Sequence, residues 1–180
     1  MSLRRIIAIG LACFVLGMVA QSGLAQAKKA TYSPDLFKNK DPKEAAAALL
    51  DGALELAEEG SWERIAVGRA WYLGGDKARG QKIFDDVTTS KKVEGSDWIR
   101  VARVYEEAGE WDKAQAAFDK ALAASKNDGN LMIEYGGMAY VHKDRAKAEG
   151  LFEQAFKRKP RDFWHWANAG GAYLGVKPLP

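Results

Sequence analysis

Written 34 residues to a line, the chain aligns with itself: Trp98, Met132 and Trp166 share one column, and Gly68, Ala102, Gly136 and Gly170 share another. Trp71, Tyr105, Ala139 and Tyr173 form a third column, and Phe84, Phe118 and Phe152 a fourth. A fixed period of this length marks stacked supersecondary units, none of which can bury its apolar face without its neighbours. The frames begin at Ser61, Gly95, Gly129 and Phe163 with no insertion between them.

Each of the first three frames reads as helix, short turn, helix. The turns fall at Gly74-Gly75-Asp76, Gly109-Glu110 and His142-Lys143-Asp144, and the breaks between hairpins at Ser90-Lys91-Lys92, Ser125 to Asp128 and Lys159 to Asp162. Gly68, Ala102, Gly136 and Gly170 let the helices of a hairpin approach. Phe84, Phe118 and Phe152 fill the space between one hairpin and the next, and Ala114, Ala121 and Ala148 keep adjacent contacts close. Ahead of the first frame, Asp41-Pro42-Lys43-Glu44 is a helix start with Asp41 as cap and Pro42 at the first position. Leu49, Leu50, Ala53, Leu54 and Ala57 then form an apolar stripe on one more helix.

This register resembles the tetratricopeptide repeat family, whose first helix carries a large, a small and an aromatic residue in order, and whose second carries alanine, phenylalanine and alanine. The second frame matches with Trp98, Val101, Ala102, Tyr105, Ala114, Phe118 and Ala121. The third supplies Met132, Tyr135, Gly136, Ala139, Ala148, Phe152, Ala155 and Pro160, with Tyr140 beside the usual aromatic position. The first is looser, with Arg64, Val67, Gly68, Trp71, Gly80, Phe84 and Val87, and the fourth holds a first helix alone, with Trp166, Ala169, Gly170 and Tyr173. Ala46, Leu50 and Ala53 extend the register backwards as the second half of a repeat. The resemblance implies an all-α fold, a right-handed superhelical solenoid of antiparallel helix pairs, over residues 44–177, preceded by a flexible arm at 28–43 and followed by a tail at 178–180.

In that family the first helices of successive repeats line a groove. Carried over by position, the groove residues are Trp62, Ile65, Arg69, Tyr72 and Leu73 in the first frame, Ser96, Ile99, Arg103, Glu106 and Glu107 in the second, and Asn130, Ile133, Gly137, Tyr140 and Val141 in the third. An apolar rail of Ile65, Ile99 and Ile133 beside two arginines suits an extended peptide or partner helix with an acidic group. Packing of the isoleucines within the hairpins and simple solubility for the arginines stand as the alternatives. The last helix exposes a second candidate interface at Phe163 and Trp164, for docking or self-association, unless Gly175 to Pro180 folds back over it. The resemblance implies a non-catalytic protein-interaction scaffold; a structural or self-associating envelope subunit is the alternative.

Residues 1–27 read as a secretory signal, with Arg4-Arg5, an apolar run from Ile6 to Ala20 and Ala25-Gln26-Ala27 at the cleavage point. The run falls short of the roughly 20 residues that cross a bilayer, so an uncleaved anchor is the weaker reading and no stable transmembrane segment is expected after cleavage. A periplasmic or secreted location follows. Cys13, the only cysteine, lies inside the apolar run, which leaves the mature chain without thiol or disulfide. Loss of Arg4 and Arg5 takes the basic count from 27 to 25 against 24 acids, a balance that argues against nucleic acid. His142 and His165, the only histidines, have no metal-ligand spacing, and the adjacent acids Glu58-Glu59 and Glu106-Glu107 do not converge. No catalytic residue, cofactor or metal is expected.

Overall fold

The computed structural model describes residues 30–126 and 128–178; the signal reading at 1–27, Cys13 and the last two residues of the tail lie outside them. Among the described residues the chain forms eight α-helices and no strand: α1 (Pro42–Ala57), α2 (Ser61–Leu73), α3 (Lys77–Thr88), α4 (Gly95–Glu107), α5 (Trp111–Ala124), α6 (Gly129–Val141), α7 (Arg145–Arg158) and α8 (Phe163–Tyr173). A 3-10 turn at Pro34–Leu36 packs on α1.

Helix starts and stops recur with the sequence period. Asp41 caps α1 by accepting from the Lys43 amide at 2.9 Å, with Pro42 in the first turn as expected. Asp76, Asp128, Asp144 and Asp162 cap α3, α6, α7 and α8 in the same way. The turn inside each hairpin needs one left-handed residue. Gly75 (φ 105°) and Gly109 (φ 76°) supply it without a Cβ penalty, and Lys143 (φ 72°) occupies the same place in the third hairpin.

Three antiparallel pairs result, α2–α3, α4–α5 and α6–α7, with α1 against α2 and α8 against α6. Their closeness follows from small residues beneath aromatic ones. A Cβ built on Gly68 would lie 2.6 Å from Cε1 of Phe84, and one on Gly136 2.7 Å from Cε1 of Phe152. Ala102 and Phe118 make the corresponding fully buried pair in the second hairpin. Each phenylalanine also reaches forward. Phe84 meets Tyr105 edge-on at 5.9 Å, Phe118 stacks on Tyr135 at 4.7 Å and Phe152 approaches Tyr173 at 6.2 Å.

The third frame solves a local problem. Ala139 stands where its neighbours have an aromatic residue, and Tyr135, one turn earlier on α6, takes over the stacking on Phe118. Its hydroxyl donates to Asp119 Oδ1 at 2.9 Å and pairs with Lys147, and burial is the main reason its pKa lies far above that of free tyrosine. Tyr140, beside the expected aromatic position, turns instead toward α8 and meets Tyr173 at 4.6 Å.

Polar ties join the first two hairpins at their turns. The Glu110 carboxylate accepts from Tyr72 Oη at 2.6 Å, from Lys113 at 2.7 Å and from Lys77, and these cations hold its pKa at about 2. Of all neighbouring first helices, α4 and α6 meet least closely.

The array also ends open. Gly170 occupies the same column as Gly68 and Gly136, yet a Cβ there would meet nothing within 4 Å, because no second helix lies on that side of α8 among the described residues. Gly136→Ala should therefore lower stability by about 1–3 kcal/mol through overpacking against Phe152, whereas Gly170→Ala should raise it by up to about 1 kcal/mol through helix propensity. Chemical denaturation of the two variants beside the parent chain checks the opposite signs.

Candidate functional site

Between α4, α6 and α8, where α4 and α6 stand apart, a cleft of about 620 Å³ opens. Ile99 and Arg103 of α4 form one wall. Asn130, Leu131, Ile133 and Glu134 of α6 form the floor, and Trp164, His165 and Asn168 of α8 close the far side. On that floor the buried Leu131 and Ile133 lie beside the polar Asn130 and Glu134.

The candidates named from position divide into groups. Ile99, Arg103, Ile133 and Trp164 come together in this cleft, although Trp164 was assigned to a separate terminal interface. Trp62, Ile65, Arg69 and Arg103 line a shallower recess of about 250 Å³ between α2 and α4, with Glu107 and Arg100. There the Arg100 guanidinium lies 3.6 Å from the Trp62 ring centroid, a cation–π contact on a half-exposed indole. Tyr72 does not face the groove. It is 1% exposed, its ring packed on Phe84 at 5.5 Å and Tyr105 at 5.6 Å so that it fills the joint between the first two hairpins, while Gly80 lets α3 approach its Cβ and backbone. Tyr140 is half-buried against Tyr173, and Phe163 sits exposed on Trp164 with ring centroids 5.3 Å apart.

Neither arginine is a free cation awaiting an acidic ligand. Arg69 donates through Nε to Glu107 Oε2 at 2.7 Å and pairs through its second nitrogen with the other oxygen. Arg103 makes a two-pronged pair with Glu134 at 2.6 and 2.8 Å. Each links one first helix to the next. The two differ in setting: the Arg69 and Glu107 side chains are 50% and 46% exposed, those of Arg103 and Glu134 30% and 12%. An acidic partner would have to displace a carboxylate that already satisfies the guanidinium fork.

Position in the repeat also reveals what was overlooked. Trp62, Ser96, Asn130 and Trp164 occupy one column, so the groove rule applied to the fourth frame places Trp164 in the cleft. His165 had no such signal. It is 1% exposed, its Nε2 lies 3.0 Å from Asn130 Oδ1, and its ring packs over Gly129, whose missing side chain makes room for it. His142 stacks on Trp111 at 4.1 Å and its Nε2 lies 3.1 Å from Glu106 Oε1. Burial acts to raise the Glu106 pKa, but hydrogen bonds from Lys177 and His142 outweigh it and hold the carboxyl below its ordinary value.

The helical hairpins, the small residues beneath phenylalanines and the fixed period now coincide with one comparison: the tetratricopeptide repeat family matches residues 96–138. That segment, about a quarter of the chain, is similar to a tetratricopeptide repeat. The matched segment runs from α4 through α5 to the last turn of α6, so it holds both Ile99 and Ile133 of the cleft. Tetratricopeptide repeats are protein-interaction scaffolds and typically non-catalytic. No curated protein matches the sequence. Among the described residues no cluster of three or more acids and histidines is placed to hold a metal, and no helix is long and apolar enough to cross a membrane.

The two ion pairs give this face a graded electrostatic framework. Glu134→Gln, which strands a half-buried guanidinium at the α4–α6 joint, should cost about 1–3 kcal/mol once partial exposure is allowed for. Glu107→Gln, at an exposed pair, should cost less than about 1 kcal/mol. Thermal unfolding of both variants at low and high salt reads the difference.

Proposed function

We propose that this protein is an exported, non-catalytic scaffold that holds an extended segment of another protein in the cleft between α4, α6 and α8. The observation that carries the reading is the convergence there of the partly exposed Ile99 and the exposed Trp164 beside the buried Leu131 and Ile133, with Asn130 and Asn168 at the same cleft. An exposed indole and an isoleucine among hydrogen-bonding side chains are the composition that anchors a bound segment. Because the floor is built from packed helices, little ordering cost falls on the protein when a partner binds. Neutralisation of Arg69 and Arg103 by their own glutamates shifts the favoured partner from an acidic to an apolar and amide-bearing one. Export is supported by Arg4-Arg5, the apolar run after them and Ala25-Gln26-Ala27, a pattern that favours the periplasm or the cell exterior.

A second reading, self-association into an envelope structure, is favoured by the outer side of α8. A groove of about 310 Å³ lined by Phe152, Phe156, Trp166, Gly170 and Tyr173 lies where a second helix packs in the preceding hairpins. Trp166 is 64% exposed there and donates through Nε1 to Pro160 O at 2.9 Å.

The test expresses the full chain with a photoreactive phenylalanine analogue at position 164 and crosslinks it in intact cells. A crosslinked partner that disappears with Ile99→Glu, while helicity and unfolding are retained, supports the cleft. Crosslinks that survive Ile99→Glu sink it. Concentration-dependent sedimentation abolished by Trp166→Glu selects the second reading. Mass analysis of the protein from fractionated cells should find a mature terminus at Lys28.

A further inference from the structure

Beyond α8 the chain reverses. Gly175, at φ 78°, ends the helix in the left-handed conformation, its amide donating to Ala172 O at 2.9 Å and that of Val176 to Gly171 O at 3.0 Å. The segment that follows does not cover the aromatic residues of α8, as folding back over Phe163 and Trp164 would require. It crosses the C-terminal half of α6 on the groove side instead. Lys177 Nζ reaches Glu106 Oε1 on α4 at 2.7 Å, and Pro178 is buried against α6.

The place that receives it departs from the repeat. Arg69 and Arg103 have their counterpart in the third frame at Gly137. A Cβ on Gly137 would overlap Cγ of Pro178 and lie 3.0 Å from its Cδ, yet it would stand at an ordinary 3.7 Å from Cβ of Ala172. Bare backbone thus makes a notch the width of a pyrrolidine ring, and helix packing alone does not demand it. Beside the notch, the Glu106 carboxylate is 7% exposed, and its remaining neighbour is His142. A buried carboxylate next to a flat apolar slot matches an ammonium group followed by a proline ring.

We propose that Glu106 and Gly137 form a subsite for a lysine–proline step in an extended peptide, and that Val176–Pro178 fills it in cis as a displaceable strap. This rests on the reading of the groove as a protein-binding face and specifies the partner's chemistry: an extended segment whose lysine pairs with Glu106 while the next residue, proline, lies on Gly137. The strap covers one half of the α6 face and the open cleft occupies the other, so a longer partner segment can run from Trp164 to Glu106 once the strap lifts. Tethering gives the strap the advantage of high effective concentration, which a partner overcomes through its added contacts in the cleft.

The test uses fluorescence anisotropy with an acetylated, labelled peptide of residues 174–180 and protein purified from cells expressing the full chain. The Lys177→Ala, Pro178→Ala double variant should bind the peptide at least tenfold more tightly than the parent, whose notch is filled. Adding Gly137→Ala, which closes the slot and meets Ala172 only at ordinary contact distance, should abolish that gain, as should adding Glu106→Gln. A peptide with glutamate in place of its lysine should not bind. Equal binding by parent and strap variant, no binding by a strap variant that unfolds as cooperatively as the parent, or a gain that survives Gly137→Ala would each overturn the proposal. Crosslinking at position 164 that still depends on Ile99 would show that only the notch, and not the cleft, had failed.

Discussion

Everything in this array depends on the seating of a phenylalanine of each second helix over a small residue of the first. The pairs Gly68–Phe84, Ala102–Phe118 and Gly136–Phe152 set how near the helices of a hairpin approach. The same rings then project toward the next hairpin and find Tyr105, Tyr135 and Tyr173. One contact therefore fixes both the hairpin and its stacking, which is why a sequence period is enough to specify the architecture. Where the receiving aromatic is missing, at Ala139, a tyrosine from the turn before supplies the ring.

The candidate site arises where neighbouring first helices stand furthest apart. Between α4 and α6 the core stays continuous through Phe118 and Tyr135, and on the groove side Arg103–Glu134, His142–Glu106 and Lys177–Glu106 span the gap. A cleft and a set of charged ties are two results of one separation. The polar groups are partly buried and paired, so they hold the helices at a defined distance without filling the space between them.

Much of the fold was legible because helical packing recurs at fixed spacing. The turns, the Asp41 cap and the columns of small and aromatic residues all follow from local rules that repeat. The site was legible only in part. Position in the repeat put forward Ile99, Arg103 and Ile133, which share one cleft with Ile133 packed into the core, but spacing carries no information about which glutamate pairs with which arginine, since Glu107 and Glu134 occupy different positions in their frames. Nor does it reveal the burial of Tyr72, which depends on how two hairpins are set against each other. The path of Val176–Pro178 was hidden for a further reason: it lies outside the period, and its receptor is defined by an absent side chain at Gly137.

The division of the array at α4 and α6 bears on how it melts. A linear stack unfolds as one body only while the coupling across every junction exceeds the stability difference between the segments it joins. Apolar junctions supply that coupling at any ionic strength, but a junction bridged by charges supplies less as salt screens its more exposed members. The strap runs from α8 past α6 to α4 and so crosses that junction without being part of either repeat. It acts as a thermodynamic splice. With it seated, the helices on the two sides of the gap are tied by one contact more than the repeats provide; with it lifted, the stacking of Phe118 on Tyr135 still joins them while the groove face is released to adjust to whatever lies on it.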